Sequence, residues 1–280
     1  MNSLTISVLT SVYESEEPSF LDRCIRSVWT DQTLKPNQII LIQDGPVCNE
    51  LSAIINYWKQ ELGDIFIVHK NDENLGLTKS LNIGLQYVTC DLIARIDTDD
   101  VCMPNRLEIQ ERFLRNNPNI FVVGGAVYVM DENETFKYVK HRVEKHEDIV
   151  KQMFWKCPLP HPGVMMRAKP FIDGVLRYDE RYRNSQDIAL WFDALRNGYR
   201  FANLPDIVIK FTQANDTYKR RGRVRAQNEY EIFARGTKDI FGRFSPKRIV
   251  PCLRYLFRRI PVNIIKGMYN SRIMKKLFAR

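Results

Sequence analysis

Apolar positions in the first 115 residues follow two rhythms. LTISVL (4–9) is a short apolar run with the length of a buried strand. In FLDRCIRSVWTDQ (20–32), Phe20, Cys24, Ile25, Val28 and Trp29 recur at helical spacing. Pro36 and Asn37 break the chain before a second strand-like run, QIILIQ (38–43). The pattern then predicts a helix near 50–61, a strand over DIFIVHK (64–70) and a loop at NDENLG (71–76). From Leu77 to Val88, Leu77, Leu81, Leu85 and Val88 share one side of a helix. DLIARI (91–96) predicts a fourth strand, and Pro104 suits an early position of a helix reaching Arg115.

Four apolar strands alternating with amphipathic helices predict an α/β fold, a mostly parallel central sheet flanked by helices. Beyond residue 118 the alternation weakens. IFVVGGAVYVM (120–130) reads as a long or bent strand whose two Gly mark a bulge or a close backbone approach. Residues 145–156 and 185–198 read as helices, the second stopped by Gly198. HPGVMMR (161–167) and FANLPDIVIKFT (201–212) read as strands. Ligands of such sheets bind outside the carboxyl ends of the strands. The polar residues fall there: Tyr13 and Glu14 after strand one, Asp44 after strand two, Asp97, Asp99 and Asp100 after strand four.

Three acids within four positions disfavour one another's ionisation. One Asp suffices to start a helix, so the cluster needs a counter-charge. A hard divalent cation, Mg²⁺ or Mn²⁺, takes oxygen ligands and is commonly shared with substrate phosphates. Arg95, in the strand beside the acids, is a further offset.

Charge changes the picture at one end. The net charge is +9, yet residues 240–280 hold eleven Lys or Arg and no acid, which leaves −2 for the rest. The body is therefore not a general nucleic-acid surface. The first twenty residues lack a basic start, so no secretory leader is expected. The run at 120–130 is far short of the ~20 residues that span a bilayer. Six scattered Cys without a CxxC pair read as reduced thiols.

Five blocks stand in an order that resembles family 2 glycosyltransferases of the GT-A fold, of the kind that builds bacterial O-antigen and exopolysaccharide repeats such as amylovoran. The resemblance covers residues 4–212. SVYE (11–14) stands for the family's P-V-Y-N, IILIQDGP (39–46) for a strand ending in a base-contacting Asp, and NLGLTKSLNIGL (74–85) for its N-x-G segment. LIARIDTDD (92–100) carries the DxD motif, and SQDIALW (185–191) stands for E-D-x-x-L-W.

The resemblance implies roles. Tyr13, Glu14 and Asp44 would serve the nucleotide-sugar, Asp44 holding the base. Asp97 and Asp99 would bind ribose, metal and diphosphate between them, with Asp100 in support. Asp187 would be the general base. Two positions depart: Glu14 replaces Asn, and Gln186 replaces Glu, leaving Asp187 the one acid there. The implied reaction is inverting transfer of a hexose, Gal or Glc, from a UDP-sugar. The implied acceptor is GlcNAc- or GalNAc-diphosphate-polyprenol, and the product a β-linkage.

His161 and Trp191 are further candidates on the acceptor side, each with a packing role as the alternative. Asn82, Asp173, Asp179 and Glu180 have capping or solvated roles as their alternatives. The expected division is a catalytic domain over 1–240, with a nucleotide-sugar half (1–117) and an acceptor half (118–240), and a tail over 241–280. In residues 246–280, apolar positions set against Lys and Arg suit an anionic membrane surface, and a packed helix pair is the alternative. The expected place is the cytoplasmic face of the inner membrane, or the cytoplasm, with no nucleic-acid partner. The rival readings are a nucleotidyltransferase on a related fold and a non-catalytic basic adaptor.

Overall fold

The computed structural model describes residues 3–131, 133–213 and 223–259. It divides into two units, Met1–Ala214 and Asn215–Arg280.

The first unit opens with β1 (Ile6–Val12), α1 (Pro18–Val28), β2 (Gln38–Gln43), α2 (Asn49–Leu62), β3 (Phe66–Lys70) and α3 (Leu77–Leu85). β4 (Leu92–Arg95), the short β5 (Val101–Cys102) and α4 (Arg106–Asn116) follow. Next come β6 (Ile120–Met130), β7 (Phe136–Lys140), α5 (His146–Met153), β8 (Met165–Arg167), α6 (Lys169–Ile172), α7 (Gln186–Arg196) and β9 (Arg200–Thr212).

The described strands form one sheet in the order β3-β2-β1-β4-β8-β6-β9-β5, with β7 on β6. β3, β2, β1 and β4 are parallel neighbours. Beyond β4 the sheet is mixed: β8 runs antiparallel to β4 and β6, while β6 and β9 are parallel. Helical cover explains the parallel half. All six residues of β2 are buried. α1 buries the stripe Leu21, Cys24, Ile25 and Val28, and α2 buries Leu51, Ile55, Trp58 and Leu62. These residues and the strands form the main core.

The long strand at 120–130 is bent as its glycines predict. β6 and β9 shift register at Gly124–Ala126. A Cβ on Gly125 would lie 2.5 Å from Val208 Cγ1 and 2.9 Å from the Asp206 carbonyl. HPGVMMR is a strand only over Met165–Arg167, because His161–Gly163 makes a 3₁₀ turn around Pro162, which has no N–H to give a ladder.

The sheet fixes where the site lies. β1 has β2 on one side and β4 on the other, so the order in which strands are added reverses there, and ligands of such sheets bind beyond the carboxyl ends at that point. α4 secures the rim. The buried Arg106 guanidinium donates to the carbonyls of Arg95 (2.8 Å), Val164 (3.0 Å) and Pro162 (3.2 Å). Gln110 donates to Gly163 (2.9 Å) and Val123 (3.2 Å).

The second unit contains α8 (Arg223–Phe241) and α9 (Ile249–Arg259). Arg254 joins them: its guanidinium lies 4.0 Å from the Phe233 ring centre and 3.3 Å from Glu229. The expected division at 240/241 falls inside this unit. Ile249, Leu253, Leu256 and Phe257 of α9 are exposed at helical spacing. The basic stretch at 262–278 lies outside the described residues.

Candidate active site

Asp97, Asp99 and Asp100 follow β4 and turn back on themselves, the Asp100 amide donating to the Asp97 carbonyl (3.2 Å). One carboxylate oxygen from each lies within 4.8 Å of the others. The turn is fastened from several directions. The Thr212 amide donates to Asp100 Oδ1 (3.0 Å), and its hydroxyl donates to the Asp99 carbonyl (2.7 Å). Arg23 donates to the same carbonyl (3.2 Å), and the Cys24 thiol to that of Asp97 (3.4 Å). The loop is thus held as a rigid set of oxygens.

Arg95 supplies the built-in counter-charge. Its guanidinium is 1% exposed and pairs with Asp97. Burial alone would lower its pKa, but the Asp97 charge and hydrogen bond outweigh that and raise it. One cation does not settle the cluster. Burial, then Asp97, then Glu16 push Asp99 up to about 7. Burial and the two neighbouring acids push Asp100 well up. Asp100 Oδ2 is buried without a hydrogen-bond partner among the described residues. Oxygen donors this close, with one lacking a partner, fit a hard divalent cation such as Mg²⁺ or Mn²⁺.

Glu16 belongs to the same group. It accepts from the Thr98 hydroxyl, and burial raises its pKa first, with Asp97 adding to the rise. Sequence reading missed it, because its place depends on β1 lying beside β4.

Tyr13 and Glu14 stand exposed just past β1, at the mouth of the crevice. Asp44 is more enclosed than a base-reading residue needs to be. It is 3% exposed, and its Oδ1 accepts from the Asn71 side chain (3.0 Å) and the Leu75 amide (2.8 Å). Its Oδ2 accepts from the Gly76 amide (2.9 Å). A carboxylate offers about four lone-pair sites, so one on Oδ2 remains for a ligand N–H. Asp44 therefore shapes the 74–76 loop as well as facing it.

Asp187 is half-buried in the first turn of α7. Its Oδ2 lies 3.5 Å from the Cys157 thiol. Burial, followed by the Asp187 charge, raises the pKa of that thiol, which stays protonated as a donor.

His161 and Trp191, candidates for the acceptor side with a packing role as the alternative, are both buried. His161 is 7% exposed and Trp191 fully buried. The His161 ring sits between them: Nε2 is 2.9 Å from the Tyr178 hydroxyl, and the ring centre is 6.1 Å from that of Trp191. Burial, with Arg95 nearby, pushes His161 well down, so the imidazole is neutral. Burial raises the pKa of the Tyr178 hydroxyl; Arg95 opposes the rise, and Asp187 and Asp97 add to it. The tight packing of the aromatic rings leaves neither residue a surface to offer a sugar.

Asn82 is likewise structural, bonding to the Tyr178 backbone at both its amide (3.0 Å) and its carbonyl (2.9 Å).

Known proteins resemble this chain in sequence and in fold. A family model for glycosyl transferase family 2 matches residues 7–175. The amylovoran biosynthesis glycosyltransferase AmsE of Erwinia amylovora is 31% identical over 266 residues, 95% of this chain and 98% of the relative. An Escherichia coli UDP-Gal:alpha-D-GlcNAc-diphosphoundecaprenol beta-1,3-galactosyltransferase is 29% identical over 98% of this chain and 96% of its own. Among solved structures, S. aureus TarS 1-349 in complex with UDP-GlcNAc superposes with a TM-score of 0.69 at 15% identity, covering 97% of this chain and 78% of that one. Against a longer TarS chain the coverage is 46%. The mannosyltransferase PcManGT of Pyrobaculum calidifontis, with GDP-Man and Mn2+, superposes with a TM-score of 0.62 at 15% identity over 99% of this chain and 79% of that one. The match covers more than half the chain, and the folds agree: this chain is a GT-A-fold glycosyltransferase that belongs to glycosyl transferase family 2.

Proposed function

We propose that the protein transfers a hexose, Gal or Glc, from a UDP-sugar to a GlcNAc- or GalNAc-diphosphate-polyprenol, with inversion. The observation that carries this reading is the convergent acid turn Asp97–Asp100 at the switch point of the sheet, with its counter-charge incomplete. The E. coli relative, named for UDP-Gal and a GlcNAc-diphosphoundecaprenol acceptor, supports the substrate pair. The Erwinia relative, named for amylovoran biosynthesis, supports a place in exopolysaccharide or O-antigen repeat assembly.

In this reading Asp97 and Asp99 would hold a divalent cation, which would supply charge neutralisation for a nucleoside diphosphate leaving group. Tyr13, Glu14 and Asp44 line the nucleotide pocket. Asp187 accepts the proton of the acceptor hydroxyl as that oxygen bonds to the anomeric carbon. The bond from that carbon to the diphosphate breaks, and UDP leaves with the electron pair. Attack from the opposite face turns an α-linked donor into a β-linked product. No covalent intermediate is needed.

Membrane attachment at the cytoplasmic face belongs to the same proposal. The exposed apolar row of α9, with Arg248 just ahead of it and Arg259 at its end, supports it. Among the described residues no helix is long and apolar enough to cross a membrane.

The test is UDP release from a panel of UDP-sugars with a GlcNAc-diphosphate-lipid acceptor, for wild type and Asp187→Asn. A positioned carboxylate base accounts for about 10²–10⁴-fold in rate, so the variant is expected to fall by that factor with one preferred donor. Undiminished release in Asp187→Asn would move the base elsewhere. Release from no UDP-sugar would contradict the donor.

A further inference from the structure

A second charged group lies on the far side of Asp187, and the transfer chemistry above does not use it. β7 and the loop after it carry FKYVKHR (136–142), and α5 leads into FWKCP (154–158). The Arg142–Cys157 hydrogen bond brings these two segments together, and they carry three cations beside it: Lys140, Arg142 and Lys156. Arg142 donates to the Cys157 carbonyl (3.2 Å), and its Nε is buried with no hydrogen-bond partner among the described residues. Among the described residues, none of the three forms a salt bridge. Lys140 feels the other two as like charges: burial first, then Arg142 and Lys156, lowers its pKa. Burial lowers that of Arg142 as well. Like charges carried side by side without an acid partner repel, an arrangement that a polyanion relieves.

Position narrows which anion. Cys157 links this group to Asp187, its carbonyl accepting from Arg142 and its thiol donating to Asp187 Oδ2. Arg142 is held at the Cys157 carbonyl, whereas the donor's diphosphate belongs with the Asp97–Asp100 turn that follows β4, so these cations are assigned to a different phosphate. An acceptor sugar with its hydroxyl at Asp187 has one pyranose ring between that hydroxyl and its anomeric diphosphate. The exposed rings of Tyr138 and Trp155 flank the cations, as suits a ligand with an apolar chain beyond its phosphates.

We propose that Lys140, Arg142 and Lys156 bind the diphosphate of the lipid-linked acceptor and so set the distance of its sugar hydroxyl from Asp187. This rests on the reading of Asp187 as the base.

The test uses the full chain and a Lys140→Ala/Lys156→Ala variant. Both lysines are exposed, so the variant is expected to fold as wild type does. Farnesyl diphosphate binding is measured by calorimetry in EDTA, which keeps the diphosphate from being held through a metal at the acid cluster. Loss of two charge-assisted contacts is expected to weaken binding about tenfold or more. In turnover, KM for the diphosphate-linked acceptor is expected to rise by a similar factor. KM for the same sugar as an uncharged alkyl glycoside, and KM for the donor, are expected to stay unchanged. Equal farnesyl diphosphate affinity in the two proteins would overturn the proposal. So would a loss seen only on phosphatidylglycerol vesicles, which would make the cluster a headgroup site. Because binding is read without turnover, absence of transfer in wild type would fall on the donor and acceptor assignment and not on this site.

Discussion

His161 shows what a single buried residue does to the whole chain's stability. Its imidazole packs against Tyr178 and Trp191 with Arg95 nearby, and burial holds it neutral. A His whose folded pKa is depressed binds its proton in the unfolded state first. Its contribution to stability is full above the unfolded value near 6.5 and is lost as pH falls below it. The His161 share of the loss between pH 8 and pH 5.5 is on the order of 1 kcal/mol. The raised acids Asp99, Asp100 and Glu16 gain stability over the same interval, so the test is the difference between two proteins. In urea unfolding, His161→Gln is expected to lose less stability than wild type, or to gain more, on going from pH 8 to pH 5.5. The same pH response in both would remove His161 as the cause. The same residue marks a limit of sequence reading. A His opening an apparent strand reads as surface chemistry or as core, and only the packing of α7 against the 161–163 turn decides. Asp97, Asp99 and Asp100 were legible because their charges are adjacent in sequence. Arg95 was legible beside them. Glu16 and the partners of Asp44 were not, because each acts across a gap of tens of residues that pairing of strands closes.

At the scale of elements, the β6–β9 pair decides how the acid turn is held. Thr212, at the end of β9, bonds to Asp99 and Asp100, so the register of β9 on β6 sets the turn's position. That register depends on Gly125. A Cβ there would press on Val208 and on the fixed carbonyl of Asp206. Gly125→Ala is expected to destabilise by about 1–3 kcal/mol in urea unfolding, as overpacking does, and to lower activity with it. An unchanged midpoint would show that the strand yields at no cost. The two glycines announced this bend, and the helices announced themselves by apolar spacing. β5 did not, being two residues long. β7 did not either, since its residues are almost all exposed and give no buried alternation.

For the whole molecule, the separation of charge seen in composition is also a separation of structure. The basic excess lies in the second unit with α8 and α9: residues 215–280 hold eighteen Lys or Arg and four acids, a net +14, which leaves −5 for residues 1–214. α8 escaped prediction because its apolar face is weak in sequence and is completed by α9 through Arg254 and Phe233. Leu253 and Leu256 are exposed, so replacing both with Ser leaves that packing in place. The double variant is expected to bind phosphatidylglycerol vesicles at least tenfold more weakly in sedimentation, since each buried Leu contributes about 1.5–3 kcal/mol. Unchanged sedimentation would remove α9 from membrane attachment.

The most direct measurement of the central claim is the anomeric configuration of the product. UDP-Gal and a GlcNAc-diphosphate-lipid are incubated with the protein in Mn²⁺ and, in parallel, in EDTA, and the new linkage is read by proton NMR. The account predicts a β-linked disaccharide that forms with the metal and not with EDTA. An α-linked product, or the same yield in EDTA, would contradict it.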